Sequence, residues 1–363
     1  MVQYREMRKF IFISVAVGVA VIIGFGVFLF MRPEILSDRQ RDFFGLPFSS
    51  GPEKSFMPIG VMVENEIMSR PFQKGLAEAD IVYEAPTEGN ITRFLAIFLT
   101  PRPSFSEATS LMPRQGGATL YSGKIGPVRS ARPYFLDWMH EYKGLYAHVG
   151  GSNVALRLLG NGTSTDGVFN IDQFYYEKYF WRENVGKTAL EHTMFTTLEV
   201  LRDLIVDQKF EWFSSGLPLF GGDAIDFDEY PTAKNISINF GAFSYTAQYE
   251  YDLASGLYLR SQVKKPHMDH ETNKQISASA VVIQFVKARD NGDAKLTISI
   301  DTLGEGDALI FSDGRVVKAK WKKLSPEDKT RFFDEEDDEI KIPNKKGSVW
   351  FEIVPVGDKV VYE

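Results

Sequence analysis

From Lys124 to Phe135 the chain reads KIGPVRSARPYF, with two arginines, two prolines and a glycine in one turn directly ahead of a helical pattern. Gly126-Pro127 and Arg132-Pro133 are boundary signals, because proline fixes its own φ and pushes the residue before it out of the α region. Pro133 suits the first position of a helix, where its missing N–H would have had no partner. Phe135, Trp138, Met139 and Tyr142 then recur at i, i+3, i+4, i+7, which predicts a helix with that stripe facing a core. Gly144 is placed to close it as the left-handed residue after the last turn. The arrangement holds Arg129 and Arg132 at a helix start, where unpaired N–H groups and the helix dipole already favour anions. Two readings follow: a pocket for carboxylate or phosphate, or two arginines paired with carboxylates of their own domain.

A chain of 363 residues leads one to expect two domains, and 25% charged with 44% hydrophobic residues is an ordinary globular balance. It has no cysteine, which excludes disulfides, thiolate metal sites, a cysteine nucleophile and a lipid-carrying N-terminal cysteine. Phe10 to Met31 is a run of 22 residues without a charge, long enough to cross a bilayer as one helix. It ends in Phe28-Leu29-Phe30-Met31, which is no signal-peptidase site, so it reads as an uncleaved anchor. Basic residues flank it equally, and the short tail followed by a long folded remainder places the N-terminus inside. The tail and anchor carry Arg5, Arg8 and Lys9 against Glu6, so the net charge of −7 becomes −9 for the rest. Such an acidic chain lacks the excess positive charge that non-specific nucleic-acid binding requires. Any anion site must therefore be local.

The expected order is a cytoplasmic tail over 1–9, a single transmembrane helix over 10–31 and a tether over 32–56. A mixed α/β (α+β) domain over 57–213, a linker over 214–235 and a mostly-β domain over 236–363 follow. In the first domain Ile59 to Val63 reads as a strand running into Glu64-Asn65, Pro71 to Ala79 as a short helix, and Ile81 to Tyr83 as a strand ending at Glu84. Ile91 to Leu99 is almost continuously apolar, as expected of a strand covered on both faces, with Thr92 and Arg93 as interruptions. Leu145 to Val149 reads as a strand opening through Gly150-Gly151-Ser152 into a helix with Val154 and Leu158 on its apolar face. A strand, a Gly-Gly turn and a helix start can hold an anion on backbone N–H groups, or simply turn the chain. The aromatic cluster Phe174, Tyr175, Tyr176, Tyr179, Phe180 and Trp181 reads as buried packing, or, where a part of it is exposed, as a surface that stacks on sugar rings. Thr196 and Glu199 have the spacing of a capping box for the helix carrying Leu198, Leu201, Leu204 and Ile205 inward.

Beyond the linker the period changes to two. Ile236, Ile238 and Phe240 alternate with polar residues, as do Tyr245, Ala247, Tyr249 and Tyr251, and hairpin turns follow at Asp252 to Gly256 and Asp313-Gly314. Strands over 281–286, 295–300, 308–311, 316–321 and 348–354 complete a β-rich part that reads as its own folding unit. His267, Asp269 and His270 share a short loop and could ligate zinc, but a structural site needs four ligands, so exposed loop histidines are expected, with no metal and no cofactor.

Several strings together resemble the YerB-like family of bacterial lipoproteins, a two-domain family without an assigned function. They are Glu64-Asn65, Ala79 to Ala85, Glu88 to Phe94, Ile125 to Leu136 and His148 to Ser152. In the second domain they are Tyr251-Asp252, Tyr258 to Arg260, Pro266 to Asp269 and Gly347 to Trp350. The resemblance implies a protein tethered outside the membrane, here by a helix in place of the lipidated cysteine, and it supplies no catalytic residues. The candidate binding residues are Arg129, Arg132, His148, Gly150, Gly151, Ser152, Glu64, Asn65, Glu84, Glu88 and Arg93. They support a module binding an anionic envelope component or a partner protein at the cell wall. The alternative is a wall-polymer hydrolase using Glu64, Glu84 or Glu88 with His148 or His192, since paired carboxylates cleave glycosidic bonds when one is held protonated.

Overall fold

The computed structural model describes residues 56–101, 121–160, 164–186, 188–208, 210, 227–343 and 347–363. The predicted anchor, the tether and most of the linker lie outside them, and among the described residues no helix is long and apolar enough to cross a membrane.

The first domain is built on β1 (Phe56–Glu64), β2 (Ile81–Pro86) and β3 (Thr92–Pro101). β1 pairs antiparallel with β3, and β3 antiparallel with β2. Helix α1 (Pro133–Tyr142) follows, then β4 (Gly144–His148), helix α2 (Asn153–Leu159) and β5 (Val168–Asp172), with β4 parallel to both β1 and β5. These strands are apolar over most of their length because both faces are covered, with polar residues such as Glu64, Glu84 and Arg93 near their ends. The predicted helix over 71–79 is instead two 3₁₀ turns, Arg70–Phe72 and Leu76–Glu78.

Helix α1 begins at Pro133 with Arg132 as its cap residue, and Phe135, Trp138, Met139 and Tyr142 are all buried. Its end departs from expectation. Lys143, not Gly144, takes the positive φ, 52°, and returns its N–H to the Met139 carbonyl at 3.1 Å. Gly144 opens β4, where a Cβ would stand 2.2 Å from the Pro58 carbonyl oxygen; the glycine is there for close backbone approach. In α2 the Ser152 hydroxyl accepts the Ala155 N–H at 3.2 Å. That cap sets the register so that Ala155 and Leu159 face inward, while Val154 and Leu158 are 47% and 49% exposed, one residue out of phase with the predicted face. Helix α3 (Leu198–Gln208) buries Leu198, Leu201, Leu204 and Ile205. Its capping hydroxyl is Thr197, bonded to the Val200 N–H, because Thr196 is spent on the Tyr179 carbonyl. The aromatic cluster divides: Tyr179 and Phe180 are buried, Phe174 and Tyr175 exposed.

The second domain runs through β6 (Asn235–Asn239), β7 (Thr246–Asp252), β8 (Leu257–Gln262) and β9 (Ser277–Val286). It continues with β10 (Gly304–Ser312), β11 (Arg315–Lys323), β12 (Ser348–Pro355) and β13 (Lys359–Tyr362). Successive hairpins pair β6 with β7, β7 with β8 and β10 with β11. The tight turn between β10 and β11 is Asp313-Gly314, both at positive φ.

β12 lies parallel to β9 on one side and to β2 of the first domain on the other, with Ile81 beside Val349 and Glu84 beside Glu352. One sheet thus crosses the domain boundary, and residues 56–363 form one compact unit. Both faces of the seam are packed. On one, Tyr83 of β2 stacks between Trp138 of α1 at 5.2 Å and Phe351 of β12 at 4.6 Å, pairs that contribute about 1 kcal/mol each beyond area burial. On the other, Phe94 of β3 meets Trp350 edge to face at 5.6 Å.

Candidate functional site

The C-terminal ends of β1 and β2 deliver the predicted carboxylates to two separate places. At the first, Glu64 is buried and meets Arg129 Nε at 2.9 Å and His192 Nδ1 at 2.5 Å. Arg129 Nη1 also donates to the Glu191 carbonyl at 3.1 Å. Arg132 grips Glu88 with two nitrogens, Nε at 2.5 Å and Nη2 at 2.7 Å. Burial pushes the Glu88 carboxyl up, but the hydrogen bonds and charge of Arg132, with Arg93 behind, leave it below its ordinary value. The Arg129 and Arg132 side chains stay 18% and 14% exposed. Their backbone is tied to the glycine turn: Val149 N–H donates to the Arg129 carbonyl, Ala131 N–H to Gly150, and Ser152 N–H to Ala131.

Arg93 is the unusual member. It is only 2% exposed, its Nη1 donates to the Ser130 carbonyl at 2.8 Å, and its Nε has no hydrogen-bond partner among the described residues. No carboxylate stands within ion-pair distance of it among them. Burial first, then the neighbouring charges of Arg132 and Arg129, lower its pKa to about 10. Three guanidiniums therefore share two close carboxylates, Glu64 and Glu88, with Glu191 at the rim 3.8 Å from Arg129 and 62% exposed.

The remaining candidates do not open onto this face as donors. His148 is fully buried, its ring nitrogens 2.8 Å from the Gly150 carbonyl and 2.8 Å from Asn170 Oδ1; burial lowers its pKa against the opposing charge of Asp172. Gly150 N–H is taken by Asp172, and the Ser152 hydroxyl by the α2 cap. In the Gly-Gly-Ser turn these groups serve the local fold.

Glu84 and Asn65 belong to the second place, the seam. Glu84 pairs with Arg260, accepts Asn65 Nδ2 at 3.1 Å and takes the Thr92 hydroxyl at 2.5 Å. Arg260 is wholly buried, donates from Nε to the Tyr249 hydroxyl at 3.1 Å, and lies 4.7 Å over the Trp350 ring. Beside it Glu352 accepts the Tyr249 hydroxyl. Burial, with Glu84 alongside, drives the Glu352 carboxyl well above its ordinary value. His267, expected as an exposed loop histidine, is buried with Nδ1 facing Arg260 Nη1 at 2.5 Å and Nε2 2.7 Å from Gln73 Oε1. An arginine only donates, so His267 is neutral with its proton on Nε2; burial and Arg260 hold its pKa well below the ordinary value. His270 alone of that loop's histidines is exposed. Among the described residues no three acidic or histidine side chains come together as a metal site.

Sequence reasoning missed Arg260 and Glu352. Both carried a signal: period-two alternation puts Arg260 on the same face as the core residue Tyr258, and Glu352 interrupts the apolar run Val349 to Val354.

Two family models cover the chain. The N-terminal domain of a protein of unknown function (DUF3048) matches residues 45–211, and the C-terminal domain of the same family matches 236–351. A curated relative, "Putative lipoprotein YerB" of Bacillus subtilis (strain 168), is 29% identical over 303 residues, 82% of this chain and 81% of its own. The crystal structure of the Bacillus subtilis YerB protein superposes with a TM-score of 0.68 at 25% identity, covering 87% of this chain and 97% of that one. Matching in both domains, in the order α/β then mostly β, the chain belongs to the two-domain YerB-like family, DUF3048.

Proposed function

We propose that this protein is a membrane-anchored, extracytoplasmic binding module whose Arg129–Arg132 face takes up an acidic component of the cell envelope. The observation that carries this reading is Arg93, a buried guanidinium without an ion pair among the described residues, behind two arginines that are already paired and still reachable. A buried charge without a partner is costly. An anion docking on the partly exposed Arg129 and Arg132 side chains brings the missing negative charge to the cluster, in a protein whose net charge of −7 otherwise repels anions. The apolar run Phe10 to Met31 supports a single-pass anchor with the N-terminus inside, and the relative named as a lipoprotein supports the same side of the membrane. A wall protein presenting a carboxylate cluster is a partner of the same chemistry, and nucleic acid is disfavoured by the acidic balance.

The hydrolase reading draws on the Glu64–His192 pair at 2.5 Å on this same face. Binding is favoured because Arg129 also holds Glu64, which suits a fixed counter-charge better than a proton shuttle. Titration calorimetry of the full chain with a glycerol-phosphate oligomer tests both. Saturable binding that weakens about tenfold in Arg132→Ala is expected. Absence of binding sinks the module, and chain cleavage abolished by Glu64→Gln establishes the hydrolase instead.

A further inference from the structure

A second cleft, of about 530 Å³, opens where the two domains meet, a volume in the range of small-molecule sites. Ile67, Arg70 and Pro71 come from the first domain, and Ser244, Lys265, Met268 and His270 from the second. Its charged lining is wholly basic: Arg70 and Lys265 line it together with the His270 imidazole, and no acidic side chain does. None of the three makes an ion pair among the described residues.

Arg70 is held ready. Its Nε lies 3.2 Å from Asn65 Oδ1, its Nη2 donates to the Ser244 carbonyl at 2.7 Å, and its guanidinium sits 4.9 Å from the Tyr245 ring centre. Nη1 makes no hydrogen bond among the described residues. A guanidinium locked on one side with donors left on the other is preorganised for an anion. The floor is His267, whose neutral state follows from Arg260 behind it, so the positive charge of the cleft resides on Arg70 and Lys265, with the His270 imidazole beside them. Beside these the walls are apolar: Pro71 and Met268 line the cleft, and Ile67 is 46% exposed at its edge.

We propose that this cleft binds a small amphipathic anion, with a carboxylate or phosphate head on Arg70, Lys265 and His270 and an apolar body against Ile67, Pro71 and Met268. The site is distinct from the Arg129–Arg132 face, and its ligand touches both domains.

The probes are phenyl phosphate, 3-phenylpropanoate, inorganic phosphate and benzyl alcohol, titrated calorimetrically into the full chain. One or both aromatic anions should bind with one site per chain, about tenfold or more tighter than inorganic phosphate or benzyl alcohol; which of them binds tighter identifies the head group. Arg70→Ala and the exposed Lys265→Glu should each weaken that binding about tenfold, and Arg132→Ala should leave it unchanged. Lys265→Glu guards against misfolding, since its side chain lies at the surface. Failure of both aromatic anions to bind, inorganic phosphate binding as tightly as they do, or binding undiminished in Lys265→Glu overturns the proposal. Loss in Arg132→Ala instead would place the bound anion on the other face.

Discussion

Replacing Arg260 by methionine removes the cation that faces Glu84 at the seam while keeping most of its volume. In the native protein Arg260 faces Glu84 directly, supports Tyr249 and His267, and stands 3.9 Å from Glu352. Without it Glu84 keeps neutral donors, Asn65 Nδ2 at 3.1 Å and the Thr92 hydroxyl at 2.5 Å, beside the Glu352 carboxyl and with no cation in place of Arg260, in a position 1% exposed. Stranding a buried carboxylate in this way costs about 3–5 kcal/mol, a large share of a stability on the order of 5–15 kcal/mol. At about 2–4 °C per kcal/mol for domains of this class, the melting temperature should fall by roughly 10 °C. Urea unfolding followed by tryptophan fluorescence reads the change directly, with the midpoint lowered and the m-value unchanged. Two controls sharpen it. Glu352→Gln should cost less than Arg260→Met, because burial already disfavours the charged form of that carboxyl, and the double variant Glu84→Gln/Arg260→Met should cost clearly less than the sum of its parts. A loss under about 1 kcal/mol in Arg260→Met, or strict additivity in the double variant, refutes the argument that a charge pair sits at the seam.

Residues 236–363 expressed alone should lack a cooperative transition, because β12 loses β2 and Arg260 loses Glu84; near-UV circular dichroism against the 56–363 unit checks it, and a sharp melt would contradict the shared sheet. Gly144→Ala should destabilise by about 3 kcal/mol in urea titration, since its Cβ meets backbone 2.2 Å away that no rotamer change can move. Ser152→Ala should cost only about 1 kcal/mol, the worth of one helix cap. Glu88 gives a pH dependence. Its folded value is depressed, so its stabilisation is complete above the unfolded value of about 4.3 and is lost as pH falls through the folded one. The stability gap between wild type and Glu88→Gln should accordingly close on acidification below pH ~4.

Local chemistry was legible in the sequence where a single residue type settles the geometry. Pro133 announced the start of α1, and its stripe of Phe135, Trp138, Met139 and Tyr142 is buried as the spacing requires. The change to period two announced the second domain. The errors came where two neighbours could each play a part: Lys143 took the left-handed turn expected of Gly144, Thr197 took the cap expected of Thr196, and α2 turned one residue away from Val154 and Leu158. What the sequence withheld was the seam. β2 and β12 are parallel and more than 260 residues apart, and pairing at that distance leaves no local pattern. This also explains the division of the candidate site. Glu64 and Glu84 both lie near the C-terminal ends of strands, yet only the long-range partner, Arg129 for one and Arg260 for the other, decides which cluster each joins.

In the proposed function the arginine cluster carries a charge that an acidic ligand balances. The most direct measurement is the calorimetric titration of the full chain with a glycerol-phosphate oligomer, repeated with rising salt and in Arg132→Ala and Arg70→Ala. The account predicts saturable, salt-weakened binding that Arg132→Ala reduces about tenfold and Arg70→Ala leaves intact. Binding that is absent in wild type, or that persists undiminished in Arg132→Ala, would contradict it.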